Sequence, residues 1–233
     1  MSKVLPGVPM PRFAALLLVL LAPLSAAHAA AYVEGQHYVR LAPAQHTTVP
    51  PGKIEVLEVF SYGCPACNAF QPLMARLAQA LPPNAQIALL PAAFNAAEDW
   101  PMLQRAYFTA EVLGIAARTH QAMFDAVWKT GELANIDPQT HRLRSPQPTI
   151  DQAAKAYARW TGVNPENFLA MANSFSVDAR MRTADEQIVK MGVPGTPCIV
   201  VNGRYRVGDD ITHGPVERLI AVVQFLVAKD SAH

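Results

Sequence analysis

Cys64 and Cys67 carry the clearest chemistry in the chain. They stand three positions apart in Cys64-Pro65-Ala66-Cys67, after the apolar run Ile54-Glu55-Val56-Leu57-Glu58-Val59-Phe60 and ahead of a helical pattern from Asn68 to Leu77. Two thiols at a strand-to-helix turn are placed for dithiol–disulfide chemistry. The first thiol sits at the helix start, where unpaired N–H groups and the positive end of the dipole favour a thiolate. The thiolate is the nucleophile, so this position makes Cys64 the reactive sulfur. Cys67, one turn further on, is close enough to close a ring with it. Pro65 costs little in the first turn, because its missing N–H would be unpaired there anyway. The same spacing also holds zinc, but a structural zinc site needs four ligands, usually from a second pair. The third and last cysteine is Cys198, and no second pair exists.

The elements that must position these thiols can be read from periodicity. Ile54 to Phe60 has strand length and apolar residues on both faces, which predicts a central, buried strand. Glu58 interrupts it, and a carboxylate facing a core must be hydrogen-bonded or have a raised pKa. The first helix is expected from about Cys64 to Leu81, kinked at Pro72. Ile87 to Leu90 reads as the next strand, ended by Pro91. From about 96 to 191 the pattern turns helical, with a capping box at Thr149-Ile150-Asp151-Gln152 and another helix start at Asn164-Pro165-Glu166. Cys198 to Val201, Asn202-Gly203 and Arg204 to Val207 read as a hairpin, and Pro215 to Lys229 as a closing amphipathic helix. Ala30 to Pro51 reads as an extended lead-in. This order predicts one α/β layer with helices inserted.

The start of the chain is a leader. Lys3 and Arg12 flank an otherwise uncharged segment, Phe13 to Leu24 is almost wholly apolar, and Ala27-His28-Ala29 supplies a small-x-small cleavage pattern. That is a secretory signal peptide over 1–29, and the apolar run is short of the roughly 20 residues a spanning helix needs. The remaining 30–233 suffices for one domain. Lys and Arg number 19 against 18 Asp and Glu, with no basic block. Nucleic-acid and anionic-membrane binding therefore have no electrostatic support. A secreted chain meets an oxidising compartment where disulfides persist, yet this one has a single plausible pair, the reactive one.

Two separated motifs carry a family resemblance. Glu58-Val59-Phe60-Ser61-Tyr62-Gly63-Cys64-Pro65-Ala66-Cys67, followed by Gly195-Thr196-Pro197 before Val201-Asn202-Gly203-Arg204-Tyr205, resembles the DsbA family of periplasmic thiol:disulfide oxidoreductases. The start Tyr32 to Tyr38 is also similar. The resemblance implies a thioredoxin-like fold with an inserted all-helical subdomain over about 96–191. It implies a cis bond before Pro197 beside the Cys64–Cys67 pair, with Pro194 as a competing position. It implies catalytic roles for Cys64, Cys67 and Glu58, the last as a buried acid exchanging a proton with Cys67. Pro65, Ala66, Thr196 and Pro197 would meet substrate, with the Thr196 backbone pairing an extended segment. No metal and no cofactor are implied. The partners implied are thiols of folding secreted proteins and a membrane quinone-linked reoxidase, and the chain is expected to be a periplasmic monomer.

The chain departs from the family pattern in three places. Ala66 stands where the better-known members have His, Leu89-Leu90-Pro91 falls where the acid's basic partner is expected, and Cys198 directly follows Pro197. Cys198 reads as a small buried core residue. The leading function is an oxidase that donates the Cys64–Cys67 disulfide through a mixed disulfide. The alternatives are a reductase or isomerase, and a metal-binding or chaperone protein.

Overall fold

The computed structural model describes residues 1–2, 32–137 and 139–231, so the leader expected over 1–29 lies almost wholly outside the described residues. Five strands form one mixed sheet: β1 (Tyr38–Arg40), β2 (Ile54–Phe60), β3 (Ala85–Pro91), β4 (Cys198–Val201) and β5 (Tyr205–Val207), in the spatial order β1-β5-β4-β2-β3. β2 runs parallel to β3 and antiparallel to β4, and β5 is antiparallel to both β4 and β1. β2 is buried at all seven positions, as its apolar character on both faces requires.

Alternation along β2 divides the molecule into two cores. Ile54 and Val56 pack with Phe70, Met74 and Leu77 of α1 (Pro65–Ala80) and with Leu219 and Val223 of α8 (Val216–Ser231). Leu57 and Val59 face the other way, toward the inserted helices α2 (Trp100–Val112), α3 (Ala116–Trp128), α4 (Ile150–Thr161), α5 (Pro165–Ala172) and α6 (Phe175–Lys190). α1 is the crossover between the parallel strands β2 and β3. Two of the inserted helices begin at the caps read from sequence. Thr149 and Gln152 close the capping box, and the Asn164 side chain accepts from the Glu166 and Asn167 N–H groups. The β4–β5 turn places Asn202 at φ 49 and Gly203 at φ 59, and a Cβ on Gly203 would lie 2.2 Å from the Gln45 carbonyl oxygen. Only glycine fits there.

Two readings change in the structure. The lead-in is not wholly extended coil: Tyr38 is buried, and its strand pairs Tyr38 with Val207 and Arg40 with Tyr205. Pro43, Pro50 and Pro51, which disfavour a helix in this segment, all follow that strand. α1 stands where it is expected, from Pro65, capped by Cys64, through Pro72 to Ala80. A short helix, α7 (Asp209–Thr212), follows β5 where no element was expected. Among the described residues, no helix is long and apolar enough to cross a membrane.

Candidate active site

The C-terminal end of β2 delivers the turn Ser61-Tyr62-Gly63 into Cys64. The Cys64 N–H donates to the Ser61 carbonyl at 3.2 Å, the Gly63 N–H to Ser61 Oγ at 3.2 Å, and the Ser61 N–H to Cys67 Sγ at 3.5 Å. Cys64 and Cys67 are both free thiols and buried, while Pro65 and Ala66 between them are exposed. β4 explains how residues far apart in sequence meet here. Its register pairs Cys198 with Val59, which sets Thr196 and Pro197 beside the end of β2. The Thr196–Pro197 bond is cis, and Pro194 is not among the cis prolines. Cys64 Sγ donates to the Thr196 carbonyl at 3.3 Å.

The two thiols are electrostatically unlike. The Cys64 pKa is lowered from 9.0 to about 6, first because the Cys67 thiol hydrogen-bonds its sulfur. Burial opposes this, and the Thr196 side chain and the Cys67 and Ala66 N–H groups reinforce it. The Thr196 hydroxyl is buried with no hydrogen-bond partner among the described residues and can donate once the sulfur ionises. The helix-start N–H groups read from sequence thus contribute, but they are not the largest cause. Burial, and then its hydrogen bond to Cys64, push the Cys67 thiol far above its ordinary value.

Glu58 is 1% exposed, and neither carboxyl oxygen has a hydrogen-bond partner among the described residues. It follows Val56 on the α1 face of β2, beneath the two thiols, and Leu89 is its neighbour on β3. Burial raises its pKa from 4.5 to about 8, with a smaller contribution from Cys64. A group ionising there exchanges a proton near neutral pH. Cys198 is 1% exposed, and burial lifts its pKa to about 12, which fits an inert core thiol. Among the described residues, no three His, Cys, Asp or Glu side chains group to hold a metal ion.

Sequence reasoning missed the contacts that brace the turn from the inserted helices. Trp128 Nε1 donates to the Tyr62 carbonyl at 2.7 Å, and His120 Nδ1 lies 2.9 Å from Tyr62 Oη. Burial lowers the His120 pKa to about 4, so the ring is neutral and shares one hydrogen bond with the phenol. The Trp100 indole lies against Gly63, where a Cβ would come within 2.7 Å of Nε1. Trp100 in turn donates to Glu98 at 3.2 Å, and Asn135 Nδ2 donates to the same carboxylate oxygen. His120, Phe124 and Trp128 recur at four-residue spacing, a stripe that sequence alone cannot distinguish from core.

Comparison with known proteins agrees with this geometry. The family described as "DSBA-like thioredoxin domain" matches residues 55–218. The thiol:disulfide interchange protein DsbA of Pseudomonas aeruginosa is 33% identical over 210 residues, covering 89% of this chain and 90% of that protein. Its namesake from Pseudomonas syringae pv. tomato is 33% identical over 219 residues, or 94% of each. The crystal structure of oxidoreductase DsbA from Xylella fastidiosa superposes with a TM-score of 0.72 at 33% identity, covering 87% of this chain and 99% of that one. A family model over residues 55–218 and relatives one-third identical along nearly the whole chain agree, and the chain belongs to the DsbA family of thioredoxin-fold thiol:disulfide oxidoreductases.

Proposed function

We propose that the oxidised protein donates its Cys64–Cys67 disulfide to pairs of cysteines in folding secreted proteins. The observation that carries this reading is the asymmetry between the thiols, one held near pKa 6 and the other raised by burial. A substrate thiolate attacks Cys64 Sγ. The Cys64–Cys67 bond breaks and the electron pair goes to Cys67, which takes a proton from the neutral Glu58 carboxyl. A second substrate thiolate then attacks the substrate sulfur of the mixed disulfide and expels Cys64. The substrate loses two electrons and the protein's disulfide gains them. Because Cys64 leaves as a stabilised thiolate, the last step is favoured and the reduced state of the protein is low in energy. Pro65 and Ala66, exposed between the thiols, and Thr196 and Pro197, beside Cys64, form the wall on which the substrate backbone rests. Equilibration with glutathione buffers tests the direction. Oxidised protein is expected to give up its disulfide to a reduced, unfolded two-cysteine protein, even with reduced glutathione in modest excess. A disulfide that persists in millimolar reduced glutathione would identify a reductase instead.

The cycle needs a reoxidant, and a membrane quinone-linked partner of the kind the family resemblance implies supplies it. The protein acts as a monomer in the periplasm, as one domain over 30–233 with its helical insertion at about 96–191, after removal of residues 1–29. The charged start, the short apolar run and Ala27-His28-Ala29 support this. Intact mass of the protein from an osmotic-shock fraction is expected to match a chain starting at Ala30. Recovery of the chain with Met1 in the membrane pellet would overturn the location.

A further inference from the structure

Trp128 does more than brace the turn. It is 37% exposed even though its N–H is engaged by the Tyr62 carbonyl. Beside it is a hollow of about 270 Å³, floored by Val127 and Ala134 and rimmed by Ile136 and Asn135. Ile136 is 37% exposed, and Leu143, its partner in an isolated antiparallel bridge, is 48% exposed. The hollow is smaller than the about 300–1,000 Å³ of small-molecule sites, and is closer to the size of one side chain. Its walls are tied to the reactive turn from two directions. Trp128 bonds the Tyr62 carbonyl, and Asn135 bonds Glu98, which holds Trp100 against Gly63.

We infer that this hollow is a substrate subsite, which receives an aromatic or large aliphatic side chain two residues away from the cysteine that bonds to Cys64. The inference rests on the reading of Cys64 as the substrate-bonding sulfur. Tyr62 and Cys64 are two residues apart, so their Cα atoms are within about 7.6 Å. An extended substrate advances about 3.3 Å per residue, so its second neighbour lies about 6.6 Å from its cysteine. That neighbour also points to the same face as the cysteine, whereas the first neighbour points away. A substrate strand that runs from Cys64 toward Tyr62 sets its second neighbour beside the indole that bonds the Tyr62 carbonyl. The occupant is a substrate polypeptide because the surface beside Cys64 is covered whenever that sulfur bonds a protein thiol. The half-exposed Trp128, Ile136 and Leu143 match it in apolar character.

The test uses short dithiol peptides of otherwise polar sequence, oxidised by the full-length mature protein. Phe is placed two residues from the attacking cysteine, on either side, or one residue from it, or replaced by Ser. A Phe at one of the two second-neighbour positions is expected to raise the rate constant about tenfold over Ser. Phe at the first-neighbour positions is expected to raise it far less. Ile136→Glu, a rim change on a half-exposed residue, is expected to erase the Phe advantage. Equal rates for all peptides with the unaltered protein would overturn the subsite and leave the oxidase reading standing. So would an advantage that survives in Ile136→Glu. Failure to oxidise any peptide would overturn both.

Discussion

Cys64→Ser is expected to abolish thiol–disulfide exchange, while Cys67→Ser is expected to accumulate a mixed disulfide that does not resolve. Both variants lose the internal disulfide, so a role for the bond itself would make them alike. The structure makes them differ. Cys64 is held near pKa 6, while Cys67 is fully buried, with its sulfur accepting from the Ser61 N–H and its thiol pushed far above the ordinary range. Mass spectrometry after incubation with a cysteine-bearing peptide disulfide reads the outcome, and trapping at Cys67 in the Cys64→Ser protein would reverse the assignment. Thiolate absorbance adds a finer reading. The Cys67 thiol is the first cause of the low Cys64 pKa, so Cys64 in Cys67→Ser is expected to titrate above about 6 but below the ordinary 9.0. The same thiolate links redox state to stability. Its folded pKa is depressed, so its contribution is full above pH 9, where solvent screening of the sulfur keeps it below about 4 kcal/mol, and fades as pH falls through about 6. Closing a ring as short as this disulfide constrains the unfolded chain by about 2 kcal/mol in the opposite sense. The reduced form is therefore expected to out-melt the oxidised form only above roughly pH 7–8.

Glu58→Leu is expected to stabilise the protein by about 3 kcal/mol at pH 7, equivalent to about 10 °C in Tm. The unfolded carboxyl ionises near 4.5 and the folded one near 8. Between those values the folded state keeps a proton that the unfolded chain has lost, so wild-type stability falls as pH rises across this window. The leucine variant has no such slope. At pH 4.5 the two proteins should differ least, and at pH 8 most, in parallel urea denaturations. The same change should slow disulfide exchange by about a hundredfold, because Cys67 loses its proton source. A stabilisation that does not vary with pH would show that the carboxyl is not the cause. An unchanged rate would remove Glu58 from the reaction.

What sequence makes legible here is local. The thiol pair, the strand before it, the capping box at Thr149 and the start at Asn164 depend on neighbours within a few residues, and each stands where it was expected. The burial of Glu58 without a partner also followed from an apolar strand and from Leu89 beside it. What stayed hidden is non-local. The ties from Trp128 and His120 to Tyr62, and the packing of Trp100 on Gly63, join residues tens of positions apart through helices whose apolar stripes look like ordinary core. The three-residue strand at Tyr38 was hidden for a related reason. It is too short for a period, and only its partner Val207 defines it. The first cause of the low Cys64 pKa belongs here too, since it depends on how closely the two sulfurs approach.

The outer strand β3 carries a last consequence. A protein that works on unfolded chains meets unpaired backbone continuously, and an open sheet edge would recruit it as an extra strand. β3 is the end strand of the sheet, yet Gln104 Nε2 donates to the Pro91 carbonyl at 3.0 Å, and Tyr107 Oη approaches the Leu89 carbonyl at 3.5 Å. Both side chains come from α2, so the insertion occupies two backbone acceptors of that edge strand. Shortening the insertion to make a minimal redox domain would leave that edge open, and the trimmed protein would be prone to clump with the chains it is meant to help.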